Sequence, residues 1–328
     1  METPTESVEK KPFKTPIQNF YKFSFAFKQQ LIYAWRPKPT LKCALFCYSI
    51  IAAIFIAVGI VLLVNSNSIW DTSIRYDNQC VGTNTPCQVI FEVVSDLIGP
   101  VFLQYSITNF YQNHRLYMNS VSLTQLRDQV WYSSDSLSSC SPVITNQDNF
   151  YVNNVYGQVL NPADSAFPCG LIARSYFNDT FRIFNQVTNS EVAIGSKGIS
   201  WPDDLQYNFK NADLSKQWMD VTDERFINWM KISPFTDFKK TWGRIDQALS
   251  AGLYRIEIGN RWDSSIFGGE KWVLLTTTNA LGSKNYFLAY CYLVIGFLCL
   301  LFIIIFVFRK IKRPKGVLEE KLRMISQL

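Results

Sequence analysis

Apolar residues are arranged along this chain in two different ways. Cys43 to Val64 and Tyr286 to Phe308 are unbroken runs of 22 and 23 residues without a charged side chain, each long enough to cross ~30 Å of hydrocarbon as a helix. Between them, apolar and polar positions alternate at short period. "TSIRYD" (72–77), "QVIFEV" (88–93) and "PVFLQYSITNFY" (100–111) are rich in β-branched and aromatic residues and read as strands, with Leu97–Pro100 as the turn joining the last two. "GLYRIEIGNRW" (252–262) and "EKWVLLTTTN" (270–279) read as a second hairpin closed across Asp263–Gly269. Two stretches carry a helical period instead: Asp223–Ile232, with Phe226, Trp229 and Met230 on one face, and Thr236–Leu249.

This pattern predicts two transmembrane α-helices flanking a large lumenal or extracellular β-rich domain (α+β, antiparallel, sandwich-like). The segments are a cytosolic N-terminal stretch (1–42), a first span (43–64), the folded domain (65–285), a second span (286–308) and a basic cytosolic tail (309–328). The first span begins after 42 residues, too far along to read as a cleaved signal peptide.

Charge sets the orientation. Residues 1–42 hold eight Lys/Arg and three Glu, and residues 309–328 hold seven Lys/Arg and two Glu. The stretch 65–285 holds 17 Lys/Arg and 21 Asp/Glu, so both flanks are positive and the middle is negative. Positive flanks stay in the cytosol, which puts both termini there and the middle on the other side. The basic clusters on either flank would also attract anionic lipid, at ~1 kcal/mol per residue near the surface.

Cysteine usage fits that arrangement. Cys43, Cys47, Cys291 and Cys299 fall inside the apolar runs, where cysteine acts as a small apolar residue. Cys80, Cys87, Cys140 and Cys169 all lie in the middle domain, where an oxidising compartment allows two disulfides. Three connectivities are open; nearest-neighbour pairing, Cys80–Cys87 and Cys140–Cys169, is the expectation. The chain holds one glycosylation triplet, Asn178-Asp179-Thr180.

Candidate chemistry is sparse. No nucleophile elbow, zinc-protease helix, phosphate loop or dinucleotide fingerprint occurs. Asp203-Asp204 reads as a solvated turn. His114, the single histidine, leaves no mixed zinc set and only one possible catalytic base. The apolar runs contain no Asp, Glu, Lys, Arg or His, which a transporter or channel with its own ion path would usually need. The residues point to a partner protein. A two-span ligand-gated channel subunit and a membrane-anchored ecto-hydrolase are the rival classes.

Five strings in order, "FKQQLIYAW" (27–35), "NFYQNHRLYMNS" (109–120), "PCGLIARSYFNDTF" (168–181), "GISW" (198–201) and "GSKNYFLAYCYLVIG" (282–296), resemble one family. It is the two-span accessory (β) subunit of type IV P-type ATPases, the phospholipid flippases, named after cell-division-cycle protein fifty and ligand-effect modulator three. The resemblance implies a non-catalytic chaperone and clamp, with no cofactor and no nucleic acid, that forms a heterodimer with a catalytic ATPase. It implies a role in exit from the endoplasmic reticulum and in moving membrane phospholipids to the cytosolic leaflet, in endoplasmic reticulum, Golgi or endosomal and plasma membranes. It assigns the run around His114 to the fold, so Asn109, Tyr111, Asn113, His114 and Arg115 are structural or interface candidates. Phe27 and Trp35, before the first span, suit a segment lying along the membrane face. Amide side chains leaving a strand end can pair backbone groups that the sheet no longer satisfies.

Overall fold

The long apolar runs form helices because a backbone in hydrocarbon must satisfy its own hydrogen bonds. In the computed structural model, which describes residues 25, 27–29, 40–80, 87–128 and 130–312, they become α1 (Leu41–Asn67) and the last helix (Tyr286–Lys312). Each has 27 residues, and only 11% of its most apolar window is buried. A core helix of a soluble protein would be mostly covered, so these faces are lipid-facing in character. The last helix ends in Arg309, Lys310 and Lys312.

Between the helices the elements are, in chain order, β1 (Asp71–Arg75), β2 (Cys87–Val93), β3 (Val101–Ile107), α2 (Arg115–Asn119), α3 (Leu123–Asp128), α4 (Leu171–Arg174), β4 (Thr180–Asn185), β5 (Glu191–Val192), α5 (Glu224–Met230), β6 (Phe238–Ile245), β7 (Gly252–Gly259) and β8 (Lys271–Thr277). The last helix is α6. The chain divides into two compact units, Met1–Ile56 with Val294–Leu328, and Ala57–Leu293. In the first, Gly296 lies against Ile56, where an added Cβ would stand 2.6 Å from Ile56 Cγ1. Tyr48 packs beside Phe302 at 5.8 Å between ring centres.

The second unit holds two antiparallel four-stranded sheets, ordered β1-β8-β3-β6 and β2-β7-β4-β5. Alternation explains their burial. Val101, Leu103, Tyr105 and Ile107 of β3 point inward, as do Val89, Phe91 and Val93 of β2 and Tyr254, Ile256 and Ile258 of β7, all into one core. Tyr105 stacks on Phe177 and Phe181 meets Trp242 edge-on within that core.

Three expectations fail. Neither expected hairpin forms. β2 pairs with β7 and β3 with β8, so the 94–100 and 260–270 connections each cross from one sheet to the other. Both strands of each pair bury an apolar face, and splitting them between layers lets those faces cover one core. The expected helix at 236–249 is strand β6. A bulge lies opposite Leu103/Gln104, with Trp242 as the extra residue between Thr241 and Gly243. It shifts the inward phase from Phe238, Lys240 and Trp242 to Gly243 and Ile245, and the resulting spacing imitates a helical period. Strand β3 also stops at Ile107, short of Tyr111.

Candidate functional site

Asn109 shows why the strand ends where it does. It takes a left-handed conformation (φ 58°), which asparagine tolerates better than most residues. Its side-chain amide donates to Phe267 O at 2.6 Å, and its backbone N–H donates to Asp237 Oδ1 at 2.9 Å. The turn throws Phe110 into an aromatic cluster, 5.5 Å from Trp262, 5.6 Å from Tyr117 and 5.2 Å from Phe267. Gln112 is buried and accepts from Ser233 N at 2.9 Å, while Asn113 donates to Pro234 O at 2.9 Å. The amides of this run thus bind backbone groups of the 233–237 and 267 loops.

His114 takes no part in that pairing. It is exposed at the start of α2, with no capping bond from its ring, and only its backbone carbonyl serves the helix by accepting from Met118 N. Tyr111 and Arg115 are exposed beside it. Phe27 is also exposed, on a helical turn in which Gln29 N donates to Phe25 O. Trp35 lies outside the described residues.

The cysteines join as Cys80–Cys87 and Cys140–Cys169, with Cα separations of 5.3 and 5.6 Å. The second bond sits where two of the sequence strings meet. Ser120, at the end of the first, donates to Cys140 O and accepts from Leu171 N, both at 2.9 Å. Gln125 accepts from Cys169 N at 3.0 Å and donates to Ala166 O at 2.8 Å. Gly170 explains the glycine of P-C-G: its φ is +99°, and an added Cβ would stand 2.1 Å from Ser120 O.

Asp179, the middle residue of the glycosylation triplet, is the polar centre of the unit. Its side chain is fully buried. Oδ1 accepts from Arg261 N and Trp262 N at 2.6 Å, and Oδ2 accepts from Tyr76 OH and Lys271 Nζ at 2.7 Å. Lys271 also donates to Asn260 Oδ1 and Trp262 O, and Asn260 donates to Cys80 O at 2.7 Å. This network gathers the ends of β1 and β7 and the starts of β4 and β8, and so ties the two sheets together. Burial lowers the Lys271 ammonium from its ordinary value against the opposing pull of Asp179, and burial followed by Asp179 raises the Tyr76 phenol well above its own.

Two further charges are held inside. Glu224 accepts from the backbone N–H groups of Gly198, Ile199 and Ser200 at 2.8–2.9 Å and from Ser200 Oγ at 3.0 Å. This is the structural content of the G-I-S-W string. Burial works against the Glu224 carboxylate, but the donors led by Ser200 N–H hold it below the usual carboxylate range. Lys240 donates to the carbonyls of Asn228, Trp229 and Lys231 at the end of α5, where a helix welcomes a cation. Burial, then the charge of Lys231, brings its ammonium down to about 7.

Sequence reasoning passed over Asp179, Lys271, Glu224 and Lys240. The available signal was register. Lys271 shares the inward face of β8 with Val273 and Leu275, and Lys240 that of β6 with Phe238; a lysine in an apolar register needs a buried partner. Asn178 is half-buried, with Oδ1 enclosed and accepting no hydrogen bond among the described residues, beside a recess lined by Tyr176, Phe150 and Phe267.

Comparison with known proteins is consistent across the chain. Residues 62–316 match the LEM3 (ligand-effect modulator 3) family / CDC50 family. The chain is 31% identical to "Cell cycle control protein 50A" of Bos taurus, covering 83% of this chain and 84% of the relative. It is 28% identical to "ALA-interacting subunit 3" of Arabidopsis thaliana (88% and 86%) and 28% identical to "Phospholipid-transporting ATPase accessory subunit LEM3" of Saccharomyces cerevisiae (90% and 84%). The strings packed around Ser120, Asp179 and Glu224 lie within the matched region, and the chain belongs to the LEM3/CDC50 family.

Proposed function

We propose that this chain is the non-catalytic accessory subunit of a phospholipid-transporting P-type ATPase. The observation that carries the reading is the family match over residues 62–316, whose relatives include an accessory subunit named for such an ATPase. It is a membrane protein and not itself a catalyst. The exposed ring of His114, which makes no capping bond, fits that reading. The buried charges serve the fold: each holds loops or strand ends in place, as a clamp with a fixed shape requires.

The finer assignments belong to the same proposal. Both termini are cytosolic and 65–285 lies on the lumenal or extracellular side, a topology supported by the basic flanks and the two disulfides. Asn178 carries a glycan there. The complex assembles in the endoplasmic reticulum and works in Golgi, endosomal or plasma membranes, moving phospholipid toward the cytosolic leaflet. Tyr111 and Arg115, exposed beside a rigid core, and Phe27 near the first span are contact candidates for the ATPase.

Gentle detergent purification of the tagged chain tests the proposal. A large P-type ATPase should co-purify, and its phospholipid-stimulated ATP hydrolysis should require this chain. Recovery of the chain alone, or full ATPase activity after its removal, would overturn the assignment.

A further inference from the structure

One end of the sheet unit carries bare aliphatic side chains at its loop tips, and it is the end from which both helices leave. The register establishes this. Thr277, the last residue of β8, pairs with Val101 at the start of β3, which pairs with Ile245 at the end of β6. Trp70, just after α1, exchanges hydrogen bonds with Thr277: its N–H donates to Oγ1 at 3.0 Å and its carbonyl accepts from Thr277 N at 2.9 Å. The helix ends are fastened to the same edge. Asn279 donates to Asn65 O at 3.1 Å, Ser66 Oγ to Asn285 O at 3.3 Å and Tyr286 OH to Asn67 Oδ1 at 2.9 Å.

Ile98 lies in the β2–β3 connection at this end and is 92% exposed; Val94 is 76% exposed, and Leu281, between β8 and α6, 58%. Val187 in the β4–β5 turn, 87% exposed, reaches the same end, since Gln186 N donates to Leu253 O at the start of β7. Such tips are ordinarily polar. These are also held stiffly: Leu97 and Leu249 exchange backbone bonds of 2.8 and 3.1 Å, and Asp96 accepts from Ala251 N at 2.7 Å.

We infer that this rim, led by Ile98, rests in the headgroup and acyl boundary of the leaflet on the non-cytosolic side. The inference builds on the reading of α1 and α6 as membrane spans. Lipid is the occupant because the rim continues directly from two helix ends whose apolar faces are exposed and read as membrane-spanning. Aliphatic side chains at such a surface bury ~5–10 Å into the boundary.

The test uses the full chain in phosphatidylcholine nanodiscs, with Cys43, Cys47, Cys291 and Cys299 replaced by alanine and one fluorophore attached through Ile98→Cys. Nitroxide-bearing lipid, labelled just below the headgroup, should quench most of that fluorescence. The same label at Ile266→Cys, 84% exposed in the β7–β8 connection at the opposite end, should keep its full signal. Val61→Cys in α1 controls for the spanning reading. Quenching at Val61 without quenching at Ile98 overturns the rim contact. Equal quenching at Ile98 and Ile266 also overturns it, whereas no quenching at Val61 overturns the spanning reading itself.

Discussion

Asp179→Asn is the sharpest test of how the two sheets are held together. All four groups around the carboxylate are donors: Arg261 N–H and Trp262 N–H on Oδ1, Tyr76 OH and Lys271 Nζ on Oδ2. An amide supplies one acceptor and one N–H₂, so whichever way it turns, a donor faces two donors. Its lost charge also leaves the Lys271 ammonium, 1% exposed, without its contacting carboxylate, with only the fields of Asp77 and Asp263 to offset it. Breaking a buried ion pair from one side costs ~3–5 kcal/mol. With a urea dependence of about 3 kcal/mol per molar for a unit of this size, the unfolding midpoint should fall by roughly 1–1.7 M. Tryptophan fluorescence of the purified full chain in detergent reads this directly, because Trp242 and Trp262 both hydrogen-bond at the site. The glycosylation triplet survives, since its middle position tolerates any residue but proline. Adding Lys271→Met removes the stranded cation and frees the amide to donate to the Tyr76 oxygen. The double variant should therefore recover about 1–3 kcal/mol relative to additivity. A midpoint drop under about 0.3 M for the single variant, or strict additivity of the two changes, would refute the keystone role.

Gly170→Ala should abolish native yield, because φ +99° and a Cβ 2.1 Å from Ser120 O leave no local relaxation; a yield within a factor of two of wild type on size-exclusion chromatography would contradict this. Glu224→Gln should cost ~1.5–3 kcal/mol at pH 7, where the charged acceptor holds four donors. Because the folded-state pKa is depressed, that advantage is present above the unfolded value, about 4.3, and is lost as pH falls through the folded one. Urea midpoints of wild type and variant should therefore converge below pH 4. His114→Ala should shift stability by no more than about 0.5 kcal/mol and leave ATPase turnover of the complex unchanged, measured as lipid-stimulated phosphate release. Asn178→Gln should remove a single glycan, read as one mobility step after N-glycosidase treatment; no step in the wild type would mean the triplet is unused or faces the cytosol.

Local pattern alone determined the two apolar helices over 43–64 and 286–308, because in an uncharged run hydropathy and backbone self-satisfaction leave no competing structure; the structure extends each to 27 residues. It also located β1, β2, β3, β7 and β8, where side chains alternate, and α5, where Phe226, Trp229 and Met230 share a face and Asp223 caps the first turn by accepting from Arg225 N. The strings around Asn109, Gly170 and Gly198 were legible in the sequence through the family resemblance they carry. Their partners were not, since Ser120 and Gly170, or Gly198 and Glu224, meet only after long loops close. Strand pairing was decided at the tertiary level: β7 and β8 are neighbours in sequence, but each had to turn an apolar face to a shared core, so they joined different layers. β6 was hidden because a single extra residue at Trp242 broke its period of two, and because Lys240 stands at an inward position. That lysine belongs inside only once the last carbonyls of α5 are there to receive its ammonium, and periodicity along one segment carries no record of a charge satisfied by another.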